Sequence, residues 1–264
     1  PNPFTTRPEI DGTFGVAATT HWIATAVAMS ILERGGNAFD AGVAAAFALQ
    51  TVEPHSNGPG GDVPVMIAKP GWDAPKVVCG QGPAPAGATI KHYRDHLGLD
   101  IVPGTGLLAA CIPGTFETYR MILRGHGTMR LRDVLEPAIG YAEHGYPLVE
   151  RITATIDTVK DLFREHWPTS AALYLPGGQP PPAGTLFRNP AHAETYQRSL
   201  KEAEAGGVSR EAEIDRARKA WLAGRLTVRE LVDGRRRGHG DDRHPEAGPR
   251  GPPSGGTCAR SAEG

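Results

Sequence analysis

Apolar residues recur at every fourth position along much of the first half of the chain, in runs bounded by residues that start or stop helices. The apolar run 14–18 predicts a short strand, and Ile23, Val27 and Ile31 then predict a helix that starts at a Thr19 or Thr20 cap and stops at Gly35-Gly36. Asn37 and Asp40 open a second helix, in which Val43, Phe47 and Leu49 lie among alanines 41, 44, 45, 46 and 48 before Pro54 closes it. So little side-chain bulk lets backbones approach closely, and predicts a helix sandwiched between neighbours. The apolar stretches 63–68 and 76–79 flank Pro70-Gly71-Trp72-Asp73, the chemistry of a turn, and predict a hairpin.

Helical rhythm then returns. Thr89 is placed to cap a helix through Leu97, and Pro113-Gly114 precedes the spaced residues Phe116, Tyr119, Ile122 and Leu123. Leu131, Leu135, Ile139 and Ala142 mark a further helix that Pro137 is expected to kink or restart. Beyond Pro147 the pattern loosens, with a break at 176–182. Asn189-Pro190 opens a charged helix ending at Gly206-Gly207, and Ile214, Ala217 and Trp221 place a last one over 210–222. From 234 to 264 no Val, Ile, Leu, Met, Phe, Tyr or Trp occurs. Such a segment buries too little apolar surface to offset its ordering entropy. The organisation expected is a folded portion over 1–224 and a disordered tail over 225–264, whose loss of aliphatic residues suggests a frame shift or truncation.

The 264 residues are 39% hydrophobic, enough for a sizeable core. The 28 basic and 29 acidic residues leave a net charge of -1, which provides no field to gather nucleic acid or an anionic membrane. Arg235-Arg236-Arg237 shares its surroundings with Asp241 and Asp242 and reads as solvated chain rather than a nucleic-acid contact. Cys79, Cys111 and Cys258 form no C-x-x-C pair, which argues against a disulfide framework or a cysteine zinc site. No apolar run approaches the roughly 20 residues of a membrane span, and residues 1–12 lack the pattern of a secretory signal, so a cytoplasmic location is expected.

Two local features invite chemistry. His92 and His96 are four residues apart on an expected helix, but Tyr93-Arg94-Asp95 does not supply the Glu of H-E-x-x-H, and surface histidines are the expectation rather than metal ligands. Gly58-Pro59-Gly60-Gly61 has the composition of an anion nest, yet no Gly-Lys-Ser/Thr follows, so a turn feeding the hairpin is expected.

Taken in order, Gly15-Val16-Ala17-Ala18-Thr19-Thr20-His21, Glu33-Arg34-Gly35-Gly36-Asn37-Ala38-Phe39-Asp40-Ala41, Val52-Glu53-Pro54-His55 and Gly58-Pro59-Gly60-Gly61 resemble the large-subunit opening of the gamma-glutamyltranspeptidases. Pro113-Gly114-Thr115, Gly127-Thr128-Met129, Val134-Leu135-Glu136-Pro137-Ala138-Ile139 and Ala142-Glu143-His144-Gly145-Tyr146-Pro147 extend the resemblance in the same order. Each piece alone is an ordinary helix stop, cap or turn. Their fixed succession carries the likeness.

The resemblance implies an α+β fold, the αββα sandwich of N-terminal-nucleophile hydrolases, of which this chain supplies helices and some strands. It also implies an enzyme that cleaves an amide through a covalent intermediate on an N-terminal Thr and passes the acyl group to an amine or water, without a cofactor. The nucleophile belongs to the small subunit of the same precursor, so the expected partners are that subunit and a small amide or γ-glutamyl substrate, and the chain alone is expected to be inactive. Thr19-Thr20-His21 mimics the start of the small subunit, but the surrounding residues match the large one, so no catalytic residue is assigned. Ala84-Pro85-Ala86-Gly87-Ala88-Thr89 resembles the stretch that follows a family Arg which pairs with the substrate α-carboxylate, and counting back puts Gln81 at that position. A carboxamide cannot form that bidentate charged clamp, which puts a divergent amidohydrolase or acylase on at least an equal footing with a glutathione-cleaving enzyme. The remaining alternative is a binding or scaffold protein that has lost catalysis.

Overall fold

The computed structural model describes residues 10–206 and 209–222. The expectations for the tail, including Cys258 and Arg235 to Arg237, lie outside the described residues, as does the boundary at 224.

Helix α1 (Trp22–Glu33) packs on α2 (Ala38–Val52), which is covered on other sides by α3 (Thr115–His126) and α4 (Leu131–His144). Ala41, Ala44, Ala45 and Ala48 are all buried, so the small-residue helix is sandwiched as its composition predicts. The capping box at its start is present. Asn37 Oδ1 accepts from the amides of Phe39 and Asp40, and Asp40 Oδ2 accepts from the amide of Asn37. Helix α4 continues through Pro137 as one helix, because the buried Leu135, Ala138 and Ile139 hold both halves against neighbouring helices.

The cap of α1 differs from expectation. His21, in extended conformation, accepts the amide of Ile23 on Nδ1 at 3.2 Å, while both threonine hydroxyls are occupied elsewhere. Thr19 Oγ1 donates to the carbonyl of His21, so Thr25 Oγ1 must donate to Thr19, and Thr20 Oγ1 donates to Glu53 at 2.6 Å. The expected strand over 14–18 is also absent. Nothing among the described residues pairs with this segment, and Phe14 and Val16 remain exposed; a strand needs a partner to satisfy its backbone.

The hairpin forms from β1 (Val63–Ile67) and β2 (Lys76–Gly80), antiparallel in the register Val63↔Gly80 to Ile67↔Lys76. Gly71, with φ 82°, turns the chain at a position that favours glycine. The expected helix from Thr89 shrinks to a single π-type turn at His92–His96, in which Thr89 Oγ1 does accept the amide of His92.

A second core lies around Ile152, Ile156, Tyr146 and Phe187. It is built by α5 (Glu150–His166), α6 (Pro168–Tyr174) and a two-residue pairing of β3 (Tyr146–Pro147) with β4 (Leu186–Phe187). The chain closes with α7 (Pro190–Glu204) on α4 and α8 (Arg210–Leu222) on α7. Ile214, Ala217 and Trp221 are buried on α8 as their spacing predicts, with Trp221 stacked on Phe116 at 4.1 Å. No described helix is long and apolar enough to cross a membrane.

Candidate functional site

Gln81 follows the last residue of β2, and the register of the hairpin places Asp62 directly opposite it. Gln81 Nε2 donates to Asp62 Oδ2 at 3.4 Å, and Cys79 Sγ lies 3.9 Å from Gln81 Oε1. Both contacts are long and solvent-exposed, so the side chains are available at the surface.

The backbone beneath them is held tightly. A Cβ at Gly82 would lie 1.4 Å from the carbonyl oxygen of Ile112, one at Gly114 would lie 2.3 Å from that of Gly80, and one at Gly80 would lie 2.3 Å from that of Val63. Residues 80–82 therefore run backbone against backbone along 112–114, an approach open only to glycine. The 58–61 loop joins the same frame. The Gly61 amide donates to the Gly58 carbonyl, closing a turn, and the Gly61 carbonyl accepts from the amides of Gly114 and Thr115, each at 3.2 Å. Thr115 Oγ1 is buried under this loop with no hydrogen-bond partner among the described residues.

Behind the loop stands a cluster of titratable groups. Glu53 ends α2 and is almost fully buried. Its carboxylate accepts from Thr20 and, at 3.4 Å, from Asn57 Nδ2, and its carbonyl accepts the amides of Ser56 and Asn57. One residue thus shapes the turn that delivers the chain to Gly58. Burial lowers the pKa of His21 and of His55, with Glu53 opposing the shift in both cases. Burial thus favours the neutral form of both imidazoles. His21 Nε2 and His55 Nδ1 are buried without a hydrogen-bond partner among the described residues.

Of the residues singled out in the sequence, Gln81 and the 58–61 loop meet at this corner through Asp62. Thr19 and Thr20 lie at the start of α1, with their hydroxyls tied into the fold as described. The rings of His92 and His96 are 5.9 Å apart on their turn, and no group of three metal-ligating side chains is found among the described residues. Sequence reasoning assigned no site role to Asp62, nor to Thr115, Glu53 and His55, which entered only as parts of the ordered motifs. For Asp62 the signal was present: it precedes β1 as Gln81 follows β2, so a correct hairpin register pairs them.

The gamma-glutamyltranspeptidase family profile matches residues 24–206. The chain is 36% identical over 193 residues to the oxamate amidohydrolase proenzyme of Klebsiella pneumoniae, an alignment covering 70% of this chain and 35% of that protein. It thus spans about a third of the length of the curated relatives it matches. The structure of LmbA2991 superposes with a TM-score of 0.81 at 53% identity, over 87% of this chain and 39% of that one. The gamma-glutamyltranspeptidase of Helicobacter pylori superposes with a TM-score of 0.68 at 29% identity, over 74% of this chain and 56% of that one. The helices and small antiparallel sheets are the α+β portion of the αββα sandwich of N-terminal-nucleophile hydrolases, as the ordered motifs led us to expect. With a family match spanning most of its length and the same fold in a solved member, this chain belongs to the gamma-glutamyltranspeptidase family.

Proposed function

We propose that residues 1–224 are the large-subunit portion of an enzyme that cleaves an amide and transfers the acyl group to water or an amine, with Gln81 in the acyl-donor site. The observation that carries this reading is the family match over 24–206, which includes the 58–61 loop and Gln81. In the reaction, an N-terminal Thr of the partner small subunit forms an ester bond to the acyl carbon as the C–N bond breaks, and the amine departs with a proton. Water or an acceptor amine then displaces the Thr oxygen, which regains its proton. This chain's contribution is the donor site and the rigid glycine frame beneath it.

An amidohydrolase or acylase fits better than a glutathione-cleaving enzyme. Gln81 carries no charge to pair with a substrate α-carboxylate, while the relatives by name include an amidohydrolase, an acylase and glutathione hydrolases alike. The test is reconstitution: the chain is combined with a Thr-headed small subunit from a relative, and acyl-adduct formation is followed by intact mass with amide donors. Neither chain is expected to release amine alone, and the combination is expected to form an adduct on the small-subunit Thr. Turnover by this chain alone, or no adduct in a folded complex with any amide donor, would refute the reading.

A further inference from the structure

Asp62 and Gln81 close the open end of the β1–β2 hairpin, and together they present a particular chemistry. Gln81 turns one of its two amide protons toward Asp62 at 3.4 Å, leaving the carboxylate with most of its lone pairs free and the carboxamide oxygen with only the long contact from Cys79 Sγ at 3.9 Å. No ion pair to Asp62 is found among the described residues. The pair is therefore rich in acceptors and carries one negative charge. It cannot retreat, because the backbone of 80–82 is pressed against 112–114 and Gly61 is held by Gly114 and Thr115.

A further observation marks this corner as a place for a ligand rather than an accident of a hairpin. Thr115 is only 4% exposed, and its Oγ1 has no partner among the described residues. That oxygen would lie 3.5 Å from a Cβ built on Gly61, immediately beneath the residue that precedes Asp62. A buried polar atom left unsatisfied directly under this turn points to a polar occupant.

We propose that Asp62 and Gln81 form a specificity pair for an acyl donor whose recognised end is not anionic and donates N–H hydrogen bonds, such as an ammonium or a primary carboxamide. A free carboxylate in that position meets the Asp62 charge with no guanidinium to offset it, and is rejected. This rests on the reading of Gln81 as part of the acyl-donor site and adds to it Asp62 and the sign of the selection. The pair acts by choice of substrate and takes no part in bond breaking.

The test uses the full 264-residue chain and two matched probes, a γ-glutamyl anilide with its free α-carboxylate and the same compound with that group as a carboxamide. Titrations are followed by the backbone amide signals of Gly61, Asp62 and Gln81 at low ionic strength, where exposed charges are least screened. The carboxamide is expected to bind at least about tenfold more tightly, from charge repulsion within a few ångströms. Asp62→Asn is expected to bring the two affinities within about threefold, and Gln81→Arg to reverse the preference. Both positions are exposed, and an unchanged melting temperature verifies that each variant is folded. Equal binding of the two probes by the unaltered chain, an unchanged ratio in Asp62→Asn, or no response of these three amides to either probe overturns the proposal. The reconstitution above is scored separately: discrimination without acyl transfer refutes the catalytic reading alone, and acyl transfer without discrimination refutes the specificity pair alone.

Discussion

Asp40 has no solvent exposure, yet its carboxylate accepts from the amides of Asn37, Thr128 and Met129 and from Thr128 Oγ1. One side chain therefore caps its own helix and pins the turn between α3 and α4, some 88 residues away in sequence. Gly127 completes the joint, since a Cβ there would lie 2.4 Å from Asp40 Oδ1. Asp40→Ala strands several buried donors at once and should cost about 3–5 kcal/mol, lowering the melting temperature by roughly 10 °C in calorimetry. His192 makes the opposite kind of demand. Burial lowers its pKa from 6.5 to about 4, and its Nε2 has no partner among the described residues. Well above pH 6.5 the group is neutral in both states and stability does not depend on it. As pH falls toward about 4, the unfolded chain takes up a proton that the native chain refuses. Stability should drop across that window by up to about 3 kcal/mol and then level off for this group. His192→Gln should flatten that part of a stability profile measured by urea unfolding between pH 4 and 7.

At the scale of elements, the ion pairs between α3 and α8 divide sharply by burial. Arg120, 5% exposed, donates to Glu117 at 2.7 Å and to Asp215 at 3.1 Å, whereas Arg124 reaches Asp215 from a half-exposed position. Burial pushes the Glu117 pKa up, but hydrogen bonds from Arg120 and Arg218 override it and leave the carboxyl below its usual range. Arg120→Met leaves both carboxylates short of a buried partner and should cost about 3 kcal/mol, while Arg124→Met should cost no more than about 1 kcal/mol. Urea midpoints of the two variants, compared at equal slope, measure the difference. The sequence announced α7 and α8 through Asn189-Pro190 and the spacing of Ile214, Ala217 and Trp221, because each has one apolar face. It did not announce α5, where only Ile152 and Ile156 are buried across 17 residues, so the periodic signal is diluted. It overstated a strand at 14–18, because apolar composition signals a strand without supplying its partner. The candidate site was half legible. Gln81 and the glycine loop stood out by composition, but the opposition of Asp62 to Gln81 and the burial of Thr115 depend on hairpin register and on contacts far apart in the chain.

Across the whole molecule, apolar surface is unevenly distributed. The core draws mainly on α1 to α4, α7 and α8, joined by Ile67 of β1 with Val65 and Val78 packed against it, while Met66, Val77, Ile90, Ile101, Val102 and Leu107 are all more than half exposed and fall within one stretch of the chain. That stretch contains β1 and β2, which among the described residues pair only with each other. A two-stranded sheet gains little stability by itself, and regular structure over 83–112 is limited to two short turns. The helical core and this segment should therefore open with different free energies. In hydrogen exchange followed by mass spectrometry, peptides from β1, β2 and 83–112 are expected to exchange at least about a hundredfold faster than those of α2 and α4, which share the Ala-rich interface and the Asp40 joint. Limited proteolysis should cut first between 83 and 110 and leave the helical pieces associated, because α2 on one side of the cut and α3, α4 and α7 on the other share a single core. Uniform exchange across β1, β2, α2 and α4 would show instead that the hairpin is bound into the global folding unit. The backbone contact of 80–82 with 112–114 would then be the feature that binds it there.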